Sequence, residues 1–265
     1  MNYYLGFIGC GNMGGALVKA AARKVDEKKI AVCDHNKEKV EALEKSLGVV
    51  PSSAEEIARE AELVVLGVKP QVMQEALAPL TEILRARTGV TIVTMAAGLS
   101  ISAIRAFIGK DVPMIRIMPN TPVTLGAGMS LFTCDGVDRA TKGRFLFAFE
   151  EAGWFDEVSE NEIDAGGALT GCGPAFAYAF AEALADGTAE CGIAKDKAEL
   201  YAAQTLLGAA KMLLKFGHPA DLKAAVCSPG GTTIGGLHAM EEAGFREATM
   251  SAVLAAYKRT LGLKK

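Results

Sequence analysis

Short apolar runs alternate with helical patterns through the first 158 residues of the chain. The clearest run extends from Leu63 to Val68 and has polar residues on both sides, as expected for a strand that is covered on both faces. Similar runs begin at Leu5, Ile30, Val90 and Met114. Strands that alternate with amphipathic helices predict an α/β fold with a doubly wound parallel sheet.

The pattern changes after Val158. Strand-like runs disappear, and segments rich in Ala, Leu, Glu and Lys fill the remainder, apart from a glycine loop near residue 230. We therefore predict a sheet domain over residues 1–158 and an all-helical domain over residues 159–265. The helical domain is short, so we expect it to bury its apolar faces against a second copy.

The charge balance argues against several partners. The chain has 28 Lys and Arg against 31 Asp and Glu, a net charge of −3, which gives no electrostatic reason to expect nucleic acid. No apolar stretch approaches the ~18 residues of a membrane span, and the start lacks the basic region of a signal peptide. The six cysteines form no C-x-x-C pair and the three histidines form no metal motif. We expect a cytoplasmic protein with reduced thiols, no bound metal and no membrane partner.

Glycine is in excess, at 29 of 265 residues compared with about 7% on average. One cluster follows the first strand and opens the first helix: Gly9-Cys10-Gly11-Asn12-Met13-Gly14. It fits G-x-G-x-x-G in the strand–helix context that the motif requires. Gly9 is predicted to form the tight turn, Gly11 to admit a pyrophosphate and Gly14 to let helix and strand pack closely. The cluster predicts a Rossmann-type domain that binds NADPH or NADH at a helix N-terminus.

The end of the second strand bears on the choice of nucleotide. Asp34 stands where an acidic residue usually accepts the adenosine ribose hydroxyls, and it would repel a 2′-phosphate, which favours NAD(H). His35, Lys37 and Lys39 follow and could attract that phosphate instead. These residues leave the choice between NAD(H) and NADP(H) open.

Three further strand ends are predicted to meet the cofactor, because ligands bind at the carboxyl edge of open α/β sheets. Small residues there would leave room for a flat nicotinamide, and Asn120 could offer it an amide hydrogen bond. The predicted contacts are Val68, Lys69, Pro70, Ala96, Ala97 and Asn120.

A second glycine loop lies between predicted helices at residues 221–226 and 234–242. Its sequence is Ser228-Pro229-Gly230-Gly231-Thr232-Thr233. Three hydroxyls, two glycines and the first N–H groups of a helix predict a site for an anion. A substrate carboxylate could take several of these donors and leave a threonine hydroxyl for a neighbouring nitrogen.

The segment from Val226 to Leu237 resembles the signature of pyrroline-5-carboxylate reductases. Five more segments resemble blocks of that family in the same order: residues 8–13, 68–70, 96–100, 118–122 and 171–176. The resemblance implies an N-terminal Rossmann domain and a C-terminal helical domain that interleaves with its twin in a homodimer. In this family such dimers often assemble further, commonly into decamers.

The resemblance also implies an activity, the reduction of 1-pyrroline-5-carboxylate to L-proline with NADPH or NADH, the last step of proline biosynthesis. By this likeness Thr233 hydrogen-bonds the ring nitrogen. The substrate carboxylate is held by Ser228 and by the loop backbone at Gly230, Gly231, Thr232 and Thr233. Glu160 matches a position near the substrate. Ala54 and Ala225 stand where family members have asparagine, which leaves the preference for NADH or NADPH open.

Two alternatives explain part of the pattern. A β-hydroxyacid dehydrogenase shares the layout, but its motif needs a lysine where this chain has Ala177, and no lysine occurs between Lys142 and Lys195. A non-catalytic NAD-binding regulator would need the first glycine cluster but has no use for the loop at residues 228–233. Both alternatives are therefore disfavoured.

Overall fold

A computed structural model describes residues 2–262 of the chain. These residues form two compact units. The first unit ends at Cys172 and also includes residues 256–262, whereas the second runs from Gly173 to Ala255.

The first unit is built on one sheet with eight strands in the described part of the chain. The strands are β1 (Tyr3–Ile8), β2 (Ile30–Cys33), β3 (Val50–Pro51), β4 (Ala61–Leu66), β5 (Thr91–Thr94), β6 (Met114–Met118), β7 (Gly128–Asp135) and β8 (Gly153–Glu157). Their order is β3-β2-β1-β4-β5-β6-β7-β8. All neighbours pair in parallel except β6 and β7. The predicted Rossmann-type doubly wound sheet is confirmed, with an antiparallel addition at one side.

The central strands are apolar throughout because both of their faces are covered. Along β4, Leu63 and Val65 point into one core cluster, while Val64 and Leu66 point into the other. This alternation follows from the two-residue period of a strand. The continuous apolar run therefore reflects helices packed on both sides of the sheet.

Eight α-helices of the described chain surround this sheet. They are α1 (Asn12–Ala21), α2 (Lys37–Leu47), α3 (Ala54–Glu60), α4 (Met73–Leu77), α5 (Thr81–Ala86), α6 (Ile101–Ile108), α7 (Arg139–Ala148) and α8 (Glu160–Thr170). Polar side chains start several of them: Asn36 caps α2, Ser53 caps α3 and Ser100 caps α6. Each accepts a backbone N–H that the helix leaves unpaired. These caps fix where the strand-to-helix loops end.

Helix α8 belongs with the sheet, although the sequence predicted the domain boundary before it, at Val158. It packs on β6 and β7. Gly166 and Gly167 allow this, because a Cβ atom on Gly166 would overlap Leu131 and one on Gly167 would crowd Met118. A buried ion pair between Arg116 Nη2 and Asp164 Oδ1, at 2.7 Å, links α8 to β6. The first unit therefore extends fourteen residues beyond the predicted boundary.

The second unit is entirely helical in the described chain. Its helices are α9 (Gly173–Glu190), α10 (Lys195–Phe216), α11 (Pro219–Ala225), α12 (Thr232–Glu242) and α13 (Phe245–Gly262), the last of which continues past Ala255. The buried core consists of three alanines, Ala185, Ala198 and Ala202. Large apolar side chains such as Tyr178, Leu200 and Leu214, the last 87% exposed, face outward. Such a small core cannot stabilise a unit of this size without a further apolar surface to pack against.

Three observations bear on the broader class of protein. None of the described helices is long and apolar enough to span a membrane. Residues 2–262 contain no group of three or more His, Cys, Asp or Glu side chains that could hold a metal ion. All six cysteines are free.

Candidate active site

The first glycine cluster forms a compact turn between β1 and α1. Gly9 has a φ of +98°, a conformation that favours glycine, and its N–H donates to the carbonyl of Cys33 at 2.8 Å. A Cβ atom on Gly14 or on Gly67 would overlap the carbonyl oxygen of Gly9. The turn and packing conformations are those that the motif predicts, and they bring the start of α1 against the end of β4.

The same turn leaves space for a phosphate. A Cβ atom on Gly11 would meet nothing within 4 Å, so the backbone is open on that side. Gly11 is also the N-cap of α1, and no side chain caps this helix. Its first N–H groups, which have no partner within a helix, remain available to an anion. The turn therefore fits the pyrophosphate of a dinucleotide.

Gly67, which follows β4, is a residue that the sequence reasoning missed. A Cβ atom on Gly67 would come as close to the carbonyl oxygen of Gly9 as one on Gly14, so the turn needs glycine at position 67 as well as at positions 9 and 14. The available signal was a glycine at the carboxyl end of a buried strand that neighbours the first one. Such a glycine often marks close approach of another backbone segment.

A cleft of about 640 Å³ opens beside this turn, at the carboxyl ends of β1, β2 and β4. Val68, Val72 and Ala76 supply an apolar wall, and Lys39 and Lys69 supply cations. The volume lies in the range of small-molecule and cofactor sites. The cleft therefore suits the adenosine part of a dinucleotide.

Asp34 faces the glycine turn. Its side chain is only 4% exposed, and its two carboxylate oxygens accept the N–H groups of Cys10, at 2.7 Å, and Asn36, at 2.9 Å. Asp34 thus holds the end of β2 to the glycine turn. The contact with ribose hydroxyls, predicted from the sequence, stays a prediction.

The other predicted cofactor contacts fall into three groups. Val68 and Lys69 line the cleft, and Pro70 begins the turn that follows them. Cys10 and Asn12 line an adjoining groove, and Met13 packs partly buried against the core. Ala96 and Ala97 follow β5, farther along the same edge of the sheet. Their contact with a nicotinamide stays a prediction.

The side chain of Asn120 makes two hydrogen bonds within the protein that the sequence did not indicate. It is 8% exposed, its Nδ2 donates to the carbonyl of Thr170 at 2.9 Å, and its Oδ1 accepts the N–H of Met129 at 3.0 Å. These bonds join the end of β6 to α8 and β7. One amide hydrogen remains for the predicted cofactor contact.

Glu160, predicted to lie near the substrate, has contacts within the first unit. Its Oε1 accepts the N–H of Ile101 at 2.7 Å, at the start of α6, and lies 3.4 Å from Nη1 of Arg116. Arg116 is 1% exposed and also pairs with Asp164. The arginine within the apolar run 114–118 was the sequence signal for this buried ion cluster, which the sequence reasoning missed. The substrate contact of Glu160 stays a prediction.

The second glycine loop leads into α12 of the helical unit. Gly230 has a φ of +67°, and the N–H of Gly231 donates to the carbonyl of Ser228 at 3.0 Å, which closes a tight turn. A Cβ atom on Gly231 would overlap the hydroxyl oxygen of Ser228. The N–H of Gly231, predicted as a carboxylate donor, is therefore already engaged in the turn.

Helix α12 begins two residues before its predicted start, at Thr232. No side chain caps it, and Thr232 and Thr233 are exposed. Their N–H groups belong to the first turn, where a helix supplies no acceptor. Together with the exposed hydroxyl of Ser228, they form a group of donors suited to a carboxylate.

Comparison with known proteins decides the family. A pyrroline-5-carboxylate reductase from Glycine max is 38% identical over 264 residues, which cover 98% of this chain and 95% of the relative. One from Escherichia coli is 36% identical over 273 residues and covers both chains completely. This chain belongs to the pyrroline-5-carboxylate reductase family. The membership agrees with the resemblance in the sequence and favours neither of the two alternatives.

Solved structures and family models agree with this reductase assignment. The structure of a pyrroline-5-carboxylate reductase from Coxiella burnetii matches with a TM-score of 0.91 and 32% identity over both full chains. The structure of a pyrroline carboxylate reductase from Plasmodium falciparum with NADP bound matches with a TM-score of 0.89 and 28% identity, over 100% of this chain and 99% of the other. The family model for pyrroline-5-carboxylate reductase dimerisation covers residues 160–263, and that for coenzyme F420-dependent NADP oxidoreductases covers residues 4–98. The reductase is therefore an oxidoreductase with a nicotinamide nucleotide domain and a dimerisation domain.

Proposed function

We propose that this reductase converts 1-pyrroline-5-carboxylate to L-proline with NADPH or NADH. The observation that carries the proposal is the loop at residues 228–233, where free N–H groups and hydroxyls meet at the uncapped start of α12. A dinucleotide-binding protein without a carboxylate substrate has no need of this loop. The full-length similarity to reductases of this name supports the same substrate.

The first unit would hold the nucleotide. The bound nucleotide supplies a hydride to C5 of the imine. The N–H groups at the start of α1, beside Gly11, would bind the pyrophosphate. Val68 and Lys69 would line the adenosine site. Gly9, Gly14 and Gly67 keep the backbone close enough to form this site.

The second glycine loop would hold the substrate. We assign the carboxylate to the N–H groups of Thr232 and Thr233 and to the hydroxyl of Ser228. The hydroxyl of Thr233 would hydrogen-bond the ring nitrogen. Gly230 and Gly231 shape the turn. The backbone N–H of Gly231 donates within the turn, to the carbonyl of Ser228.

This division of roles fits the chemistry of an imine. A cyclic imine that is protonated at nitrogen is already electrophilic, so the hydride can add to C5 while the nitrogen keeps its proton and becomes a secondary amine. No strong general acid is then needed. The residues must mainly orient the two reactants and exclude water.

We further propose a homodimer formed through the helical unit, with dimers that assemble into a decamer. The exposed apolar side chains of α9 to α13 support the dimer. A cytoplasmic location is consistent with six free cysteines. Light scattering of the purified protein gives the mass, which should equal an even number of chains.

The activity is tested by nucleotide oxidation. Purified protein should oxidise NADPH or NADH only when 1-pyrroline-5-carboxylate is added, and should form one L-proline for each nucleotide oxidised. Nucleotide binding without this turnover would instead indicate the regulator. Turnover with a β-hydroxyacid and NAD⁺ would indicate the dehydrogenase.

A further inference from the structure

Asp34, directly after β2, is a residue type that usually selects NADH, but its contacts in the structure do not fit that role. An aspartate at this position usually selects NADH, because its carboxylate accepts the ribose hydroxyls. In this chain the Asp34 side chain is 4% exposed, and its oxygens accept two backbone N–H groups. Nδ1 of His35 lies 3.1 Å from Oδ1 as a third neighbour. A carboxylate has about four acceptor positions in total, so little of Asp34 is left for a ribose.

The exposed basic side chains of the cleft near the end of β2 are those of Lys39 and His35. Lys39 lies on the first turns of α2 and lines both the cleft and the adjoining groove. Within residues 2–262 its ammonium has no carboxylate oxygen within 4.0 Å. His35 also lines the cleft, with a side chain that is 92% exposed. Glu75, an acidic residue of the cleft, lies on α4, which follows a different strand.

We propose that Lys39 and His35 form a subsite for the 2′-phosphate of NADPH, and that this reductase prefers NADPH to NADH although an aspartate ends its second strand. The inference rests on the proposed function only in that the cleft binds a nicotinamide nucleotide. Asp34 contributes by its contact with His35: the carboxylate lies 3.1 Å from Nδ1, so the phosphate is assigned to the other ring nitrogen, Nε2. The backbone N–H groups that it accepts compensate its own negative charge.

The neighbouring residues are consistent with this assignment. Ala54 lines the same cleft and has no polar group with which to read the ribose. An unpaired ammonium in a partly enclosed cleft attracts a doubly charged phosphate more strongly than a hydroxyl. Discrimination between the nucleotides therefore depends on Lys39 and His35.

The test uses fragments that differ only in the phosphate. Isothermal titration of the full-length protein with 2′,5′-ADP and with 5′-AMP measures the subsite without any turnover. The wild type should bind 2′,5′-ADP at least about tenfold more tightly, the usual size of one charge-assisted hydrogen bond. Lys39→Ala should remove most of this difference, and His35→Ala a smaller part, while 5′-AMP binding stays unchanged.

Matched variants separate the subsite from general charge effects. Lys45→Ala removes the same charge from an exposed position of α2 outside the cleft and should leave the ratio unchanged. Equal affinities of the wild type for the two fragments, or an unchanged ratio in Lys39→Ala, would overturn the proposal. An Asp34→Asn variant that raises the ratio severalfold would do the same, because it would show that Asp34 repels the phosphate.

The result of the fragment titrations does not depend on which substrate the protein reduces. Protein that discriminates the fragments but fails to turn over 1-pyrroline-5-carboxylate keeps the subsite and loses the proposed function. Protein that forms proline equally well with both nucleotides and binds both fragments equally keeps the function and loses the subsite.

Discussion

The two glycine loops of this reductase are supported in different ways. The turn at residues 9–14 is fixed from outside: the backbone of Gly67 packs against it, and the carboxylate of Asp34 accepts the N–H of Cys10. The loop at residues 228–233 is fixed mainly by its own turn, through the bond from Gly231 to Ser228. Three of the six residues in the first loop are buried, whereas none of those in the second loop is.

The surroundings of the loops differ in the same sense. The nucleotide unit has two large apolar cores, one on each face of its sheet, whereas the core of the helical unit is three alanines. The nucleotide turn is thus formed within a single chain. The loop at residues 228–233 belongs to the unit with the small core, for which we propose packing against a second copy. This difference predicts that mutations in the first loop act through folding as well as binding.

The largest effect is expected from Gly14→Ala. The new methyl group would overlap the carbonyl oxygen of Gly9, which is backbone and cannot move aside cheaply. Such overpacking costs about 1–3 kcal/mol of unfolding free energy, and NADPH binding should be lost with it. Denaturation in urea and nucleotide titration measure the two losses.

Gly15→Ala is the matched control on the next residue. Its methyl group would meet the carbonyl oxygen of Cys10 at 3.4 Å, an ordinary contact, and alanine favours a helix by up to about 1 kcal/mol. Stability should be unchanged or higher. If both variants lost stability equally, the close packing of Gly14 would not be the cause.

Thr233→Ala should act on catalysis while leaving the fold intact. Its side chain is exposed, and loss of the hydrogen bond to the ring nitrogen should lower kcat/KM for the imine about tenfold to a hundredfold. NADPH affinity should not change. Thr233→Ser keeps the hydroxyl and should restore most of the activity, whereas an equal loss in both variants would argue against a role for the hydroxyl.

The smallest effect concerns two cysteines, one in the first loop and one beside the second. Burial raises the pKa of the Cys10 thiol to about 12. At pH 8 the reactive thiolate is then only about one part in ten thousand. Cys227, next to Ser228, is partly exposed. Timed alkylation with mass spectrometry should label Cys227 well before Cys10, and the reverse order would show that the first turn opens readily.

Much of the sheet could be predicted because its central strands are buried on both faces. The run of residues 63–68 is apolar for that reason, and β4 lies within it. Strands β7 and β8 were not predicted. β8, with sequence GWFDE, lies at the edge of the sheet and is half exposed, so it lacks the apolar signal of a buried strand. The order of the strands also depends on contacts that a local pattern does not contain.

The candidate site was predictable where backbone shape decides it. Glycines at positions 9 and 14 indicate a tight turn, because a side chain at either position would overlap neighbouring backbone. The sequence does not show in which direction a side chain points. The sequence contains Asp34 and Lys39 but does not reveal that the carboxylate faces the backbone of Cys10. The buried pair of Arg116 and Asp164 likewise joins residues 48 positions apart.

The central claim is that each loop serves one reactant, and a crossed pair of variants tests it most directly. Gly11→Ala places a methyl group in open space, where it meets nothing within 4 Å, and Ser228→Ala removes one exposed hydroxyl. Dissociation constants for NADPH and KM values for 1-pyrroline-5-carboxylate are measured for both. We expect Gly11→Ala to weaken NADPH binding by about tenfold or more, and Ser228→Ala to raise only the KM, by about tenfold. If each variant changed both quantities to the same extent, the two loops would not divide the reactants between them.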